Sequence, residues 1–513
     1  MASNAVNGGS HTVPFTLKDR SLLHQQSYVN GNWVESKSGK RFDIIDPGSG
    51  KPFASCPIND VADAESALQS SYDAFQVYKK WTPRQRAQTL MKWHELCVAA
   101  KEDLAQIVTY ETGKPIYEAL GELDYALGFT WWFSGEADRI QGSVFAPSAP
   151  NRRILTIKQP IGVAVALVPW NFPIAMVLRK AGAALAAGCT MLVKPSPETP
   201  LSVLALADLA SRAGFPPGAL NVLTTDLDAT PRLSESLCTH RLTAKVSFTG
   251  STGVGRLVAK HCAVSGPKKC TLELGGNCPF VVFDDADLEK ALAQLMALKW
   301  RHAGQACITA NRVYVQRGVL QKFEQMLVAK TKGLKVGHGA TDGTAMGPLT
   351  TDRGVEKVAK QVDDARSRGA RILMGGNKGT GADGDAKTAN GYFYEPTVIS
   401  DTRPDMLVSR EETFGPLCAL YAFDSEEEAT SWANDTSMGL ASYVFTQDVD
   451  RLWRMFENLE AGMIGLNTGN QSAAESPFGG IKDSGYGKES GKDVAVSEYL
   501  VTKTGTLTLG GHF

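Results

Sequence analysis

The chain has almost no imbalance of charge: 53 Lys and Arg stand against 54 Asp and Glu, a formal net charge of −1 over 513 residues. That balance speaks against nucleic acid or a polyanionic membrane surface as the main partner, because both are bound through an excess of cations. Histidine is scarce, with eight residues and no cluster. The nine cysteines (56, 97, 189, 238, 262, 270, 278, 307 and 418) form neither CxxC pairs nor Cys/His zinc spacing. No metal site is expected, and an odd number of scattered cysteines points to free thiols in a reducing compartment. Long apolar runs are also missing: the longest, Ile161 to Val168, falls far short of the roughly 20 residues a bilayer span needs. Met1 to Ser10 shows no basic stretch leading into an apolar core and no Arg-rich amphipathic pattern, so the cytoplasm is the expected location.

Glycine, by contrast, is plentiful at 50 residues, as tight turns and close backbone approaches require. The length predicts two or three domains. Residues 1–20 read as a flexible lead-in. Asn30-Gly31 and Asp46-Pro47-Gly48 mark turns between short strands, and 60–113 is helical in pattern. Ser134 to Pro150 breaks that pattern with small residues and prolines. Strands are predicted at 161–168, 190–195, 219–223 and 245–248, with helices between them. Such alternation with short links predicts a parallel, doubly wound sheet. A second alternation runs from Pro279 to about Glu460, and the Val/Thr/Leu alternation after Glu498 reads as a strand lacking a partner nearby.

Chemistry gathers in a few loops. Arg301-His302-Ala303-Gly304-Gln305-Ala306-Cys307 places a thiol among small neighbours that let a carbonyl come close, downstream of the carboxylate in Leu272-Glu273-Leu274-Gly275-Gly276. A thiol nucleophile with a separate base is one reading; a small buried hydrophobe is the other. Phe248-Thr249-Gly250-Ser251-Thr252-Gly253 follows a strand and opens a helix, which suits a pyrophosphate or is an ordinary turn. Lys194 follows a strand of the same sheet, where it meets a ribose or simply solvent. Asn171, stiffened by Pro169 and Pro173, donates to an oxyanion or shapes a turn.

Taken together, Pro169-Trp170-Asn171-Phe172-Pro173, Phe248-Thr249-Gly250-Ser251-Thr252, Glu273-Leu274-Gly275-Gly276, Gly304-Gln305-Ala306-Cys307, Glu412-Thr413-Phe414-Gly415-Pro416 and Pro477-Phe478-Gly479-Gly480 resemble the aldehyde dehydrogenase superfamily. The resemblance covers about Tyr28 to Thr504 and is nearest to the succinate-semialdehyde dehydrogenases, notably over Arg179 to Thr190. It implies an α/β fold with a Rossmann-type cofactor domain (21–133 and 157–273), an α/β catalytic domain (274–470) and a small β oligomerisation element (134–156 and 485–513). A homotetramer built as a dimer of dimers is implied as well.

By the same resemblance Cys307 is the nucleophile, Asn171 and the Cys307 amide hold the oxyanion, Glu273 activates water and Glu489 is a buried relay carboxylate. Pro169, Trp170, Lys194, Ser196, Pro197, Gly250, Ser251, Leu274, Glu412 and Phe414 would hold the nicotinamide cofactor. Arg179, Arg301 and Ser472 would take the far carboxylate of succinate semialdehyde, with Phe478 beside it. Arginine suits that task through its forked donors. The implied reaction is the exit step of 4-aminobutyrate degradation. Glutarate semialdehyde, a broader aldehyde range and a crystallin-like non-catalytic role are the alternatives.

Two departures from the family pattern matter. NAD-selective members often carry Glu three residues after the lysine; here Pro197 stands there and Glu198 follows, so NADP is expected ahead of NAD. Thr309 stands where some relatives carry a second cysteine, so their disulfide switch is not expected here.

Overall fold

The computed structural model describes residues 11–379 and 388–510. Its centre is an eight-stranded sheet. Five parallel strands run in the spatial order Leu220–Val222, Thr190–Lys194, Val163–Leu167, Thr243–Thr249, Lys269–Glu273. Strands Thr190–Lys194 and Val163–Leu167 are buried throughout, which explains their unbroken apolar runs. The chain moves outward in one direction from Val163–Leu167 and in the other from Thr243–Thr249. A switch point therefore opens between those strands at their carboxyl ends, where open α/β sheets bind ligands.

The sheet is not wholly parallel as predicted. Hairpin Ser27–Val29/Asn32–Val34 closes one edge antiparallel, and Gly485–Tyr486 closes the other against Leu272 and Glu273. Both edge strands are very short, which limits the open ladder each offers to another chain.

A second sheet, of seven strands, has the order Arg371–Met374, Thr397–Ser400, Leu417–Phe423, Ala310–Gln316, Cys278–Val282, Ala441–Phe445, Met463–Leu466, parallel except for its first strand. It accounts for the alternation after Pro279.

Several expectations are corrected. Residues 1–10 lie outside the described residues, but 11–20 are not a free lead-in: Val13 and Leu17 are buried, and Asp103 accepts the Lys18 and Asp19 amides at 2.8 and 2.9 Å. Ser134 does not begin a break, because helix Ile116–Ala137 runs through it. The tail strand Leu500–Thr508 has no partner near it in the chain, as expected, and pairs antiparallel with the distant Arg152–Pro160, which in turn pairs with Ser143–Phe145. Strand Arg152–Pro160 runs past residue 156, so that boundary cuts through a strand.

Candidate active site

The loop carrying Asn171 leaves strand Val163–Leu167 at the switch point and enters helix Pro173–Ala187, whose first turn starts on proline. The Asn171 amide donates to Gln305 O at 3.0 Å, while Gln305 is itself held by its bonds to Thr350 N and His302 O. One N–H of Asn171 thus ties the two sheets together at the thiol loop, and the second remains for another acceptor. Lys114 Nζ donates to Asn171 O at 2.7 Å and to Glu122 at 2.6 Å, both side chains fully buried. Glu122 also accepts the Ile174 amide at 2.9 Å, capping the helix start.

Cys307 follows the turn Arg301–Gly304, in which His302 and Ala303 hold φ values of 50° and 51°. Strain of this kind persists where surrounding structure over-determines it. Gly276 must stay small, since a Cβ there would lie 2.4 Å from Cys307 O. Burial pushes the Cys307 thiol up to about 12, and Arg179 is the leading group pulling it back. Cys307 lines a cavity of about 720 Å³ together with Arg179, Arg301, Ser472 and Phe478.

Two carboxylates lie behind that cavity. Glu273, at the end of its strand, is buried with neither oxygen hydrogen-bonded, and Oε1 approaches Gly479 so closely that a Cβ there would lie 2.8 Å away. Burial raises its pKa well above the usual range, and Glu489 adds to the rise. Burial works the same way on Glu489, but Lys180 and Arg179 outweigh it and hold this carboxyl low. Glu489 bonds to Lys180, and Ser247 donates to it at 2.9 Å. One environment thus favours a proton acceptor and the other a fixed anion.

Arg179 differs from expectation. Its Nη2 is paired with Glu489 at 2.8 Å and the guanidinium lies 4.2 Å from the Phe478 ring centre, but Nε and Nη1 have no partner. Arg301 is exposed, over the Phe172 ring at 5.5 Å. Ser472 already meets the Tyr125 hydroxyl at 2.5 Å. Thr309 is buried, donating to Leu298 O at 2.9 Å.

A matching family model now adds to this geometry: it describes the aldehyde dehydrogenase family and covers residues 33–505. The chain belongs to the aldehyde dehydrogenase family. A succinate-semialdehyde dehydrogenase [NADP(+)] of Schizosaccharomyces pombe is 44% identical, over 97% of this chain and 99% of that one. A glutarate-semialdehyde dehydrogenase of Pseudomonas putida is also 44% identical, over 95% and 98%. The crystal structure of a succinate-semialdehyde dehydrogenase from Burkholderia pseudomallei matches with a TM-score of 0.93 at 42% identity, covering 96% of this chain and all of that one. The protein is an oxidoreductase of aldehydes that works with a nicotinamide cofactor.

The residues of this aldehyde dehydrogenase suit such a cofactor. Exposed Ser251 precedes helix Thr252–Val264 without capping it through its side chain, and the space above Gly253 is open, so first-turn amides face outward. Lys194 is buried, which pushes its amine down to about 8 against the pull of Glu198. Glu412 accepts the Gly276 amide at 3.1 Å, and its other oxygen faces Gly275. Burial raises the Glu412 carboxyl to about 7. Phe414, at φ 55°, stands edge-on to Trp170 with 5.4 Å between ring centres. Pro169, Gly250 and Leu274 follow the ends of their strands, and Ser196, beside Pro197, donates to Glu198 at 2.5 Å.

Sequence reasoning missed Lys114, Glu118, Glu122, Tyr125 and Lys180. The first signal was present: Glu118, Glu122 and Tyr125 recur at helical spacing along Ile116–Ala137 and face one cavity. Among the described residues no group of His, Cys, Asp and Glu could hold a metal, and no helix is long and apolar enough to cross a membrane.

Proposed function

We propose that this enzyme oxidises succinate semialdehyde to succinate, with NADP preferred and NAD accepted. The observation that carries the reading is Arg179, a buried cation with two unused nitrogens in the wall that also holds Cys307. Buried donors left without acceptors are costly, and a substrate carboxylate would satisfy them. Arg301 and Ser472 stand in the same cavity as further donors.

In this reading the Cys307 thiol gives its proton to water in the open cavity, helped by the Arg179 charge, and the thiolate attacks the aldehyde carbon; the oxyanion accepts from the free Asn171 N–H and the Cys307 amide. Lys194 and Glu412 would hold the ribose rings of the cofactor and Ser251 its pyrophosphate, and the nicotinamide, when bound, would supply the acceptor for the hydride that leaves carbon. Cys307 then holds a thioester. Glu273 takes a proton from water, whose oxygen attacks that thioester, and the thiolate leaves as the acid forms. Glu489, fixed by Lys180 and Arg179, stays charged and keeps the Glu273 carboxyl basic.

Pro197 supports the NADP preference, because a carboxylate there would repel a 2′-phosphate; Glu198 is drawn to Ser196 and, at 3.5 Å, to Arg353. Glutarate semialdehyde is the second substrate: the cavity has room for it, and one methylene changes discrimination by only about 1–3 kcal/mol. We further propose a homotetramer built as a dimer of dimers in the cytoplasm, where nine free thiols would stay reduced.

The test is kcat/KM for succinate semialdehyde against butanal, of equal carbon count, with each cofactor. Arg301→Ala and Arg179→Ala are expected to cut the preference for the acid by about tenfold or more, as loss of a charged hydrogen-bond partner does. Unchanged preference in both variants would end the carboxylate-pocket reading.

A further inference from the structure

One ionisable group in the cavity wall has no part in this mechanism. Glu118 sits in the first turn of helix Ile116–Ala137 and lines the cavity beside Arg301. Its Oε2 accepts the His302 amide at 2.8 Å. That bond fixes the turn between Arg301 and Cys307 where the backbone is forced to positive φ. The other oxygen lies 3.2 Å from the Tyr117 hydroxyl, which also donates to Ala345 O at 2.9 Å. A phenol has one proton and faces two acceptors here. Its donation to Glu118 is therefore shared with the Ala345 carbonyl and stabilises the carboxylate only in part.

We propose that Glu118 is a specificity-determining positioning residue, anchoring the Arg301–Gly304 turn and setting by its own charge how strongly the cavity holds a substrate carboxylate. This rests on the semialdehyde reading above. The charges that face Glu118 are few. Lys114 is neutralised by its buried pair with Glu122. His302 is buried with both ring nitrogens unpartnered, and burial drives its pKa well below the usual value, so it is neutral. Tyr117 is a neutral phenol at working pH, its own pKa raised by burial and by Glu118. Arg301 remains, and among the described residues no carboxylate lies within ion-pair distance of it. The local charge is therefore +1 with Glu118 protonated and zero with it ionised.

Burial brings the Glu118 carboxyl up to about 7, against the His302 amide, Lys114 and Arg301. A substrate carboxylate is ionised across neutral pH, with an unperturbed value near roughly 4. Its affinity is thus expected to fall as pH climbs through the Glu118 transition, whereas an uncharged aldehyde feels no such change. Burial also raises Glu273 and Glu412, but both are common to the parent enzyme and a Glu118 variant, so comparing the two isolates Glu118.

The experiment measures kcat/KM for succinate semialdehyde divided by that for butanal, from pH 6 to 8.5, in the parent enzyme and in Glu118→Gln. The amide keeps an acceptor for His302. The parent ratio is expected to fall about tenfold, the scale of one unit charge at close range. In Glu118→Gln the ratio should stay high and flat. A parent ratio that does not change with pH, or a variant ratio that falls as steeply as the parent's, overturns the proposal. Should Glu118→Gln fail to fold, Tyr117→Phe serves instead: loss of the phenol donor moves the midpoint to higher pH, and an unmoved midpoint overturns the proposal equally. A parent enzyme that favours butanal at every pH sinks the substrate reading; the slope of its ratio still decides the role of Glu118.

Discussion

Glu273 and Glu489 carry the same functional group into opposite states, and the cause is local. Glu489 has two cations at contact distance; Glu273 has none, and neither oxygen is bonded. Glu273 therefore gains its charge only as pH rises through its raised value, and water activation grows over the same range. Glu273→Gln is expected to keep the first burst of reduced cofactor while steady turnover falls by about 10²–10⁴-fold and loses that alkaline rise. Stopped-flow absorbance of the cofactor separates the two phases; a variant lacking the burst would give Glu273 a part in the first half of the reaction instead. Cys307→Ser should remove the burst itself. Cys307, Glu273 and Asn171 were singled out in the sequence through the family resemblance, since each short motif taken alone had an ordinary structural reading as well. The division of Arg179 between Glu489 and free space was not legible there. It depends on Glu489, far along the chain, being folded back against helix Pro173–Ala187.

At the scale of elements, strands and their links were readable wherever burial is uniform, as in Val163–Leu167 and Thr190–Lys194. Helix Ile116–Ala137 was harder to read. Its apolar residues are distributed round most of its surface because it packs against helices on several sides, so no single stripe marks it. The polar residues it does carry do specific work. Lys114, just before the helix, and Glu122 within it form a buried pair that reaches Asn171 O and the amides of Ile174 and Ala175. Lys114→Met would leave Glu122 charged and buried alone, and breaking such a pair costs about 3–5 kcal/mol. The first unfolding transition in urea should shift to lower concentration, and kcat should fall more than KM rises, because the Asn171 loop loses its support. Adding Glu122→Leu to Lys114→Met should restore much of the stability but not the rate. Restored turnover in that double variant would show that the pair has no role in placing Asn171.

Over the whole molecule, the three-stranded sheet of Ser143–Phe145, Arg152–Pro160 and Leu500–Thr508 is the one the chain leaves least covered. The tail's alternation marked a strand, but its partner lies hundreds of residues earlier, beyond the reach of any local pattern. Register explains what the alternation is for. Val144 is opposite Leu155, Leu507 is opposite Arg153, and side chains two apart share a face. Val144, Leu155, Ile157 and Leu507 therefore stand on one side of the sheet, and all four are exposed, from 39% for Leu155 to 69% for Val144. An apolar face of this kind is the surface that a second subunit would cover in the tetramer proposed above. A charge on each of two adjacent positions would have to be buried unpaired in such an interface, at a cost of several kcal/mol per ion. Leu155→Asp combined with Ile157→Asp is expected to lower the mass seen by light scattering from that of a tetramer to that of a smaller assembly, with cofactor binding retained because the switch point lies in another sheet. An unchanged mass would place the subunit contacts elsewhere and leave this face to a different partner.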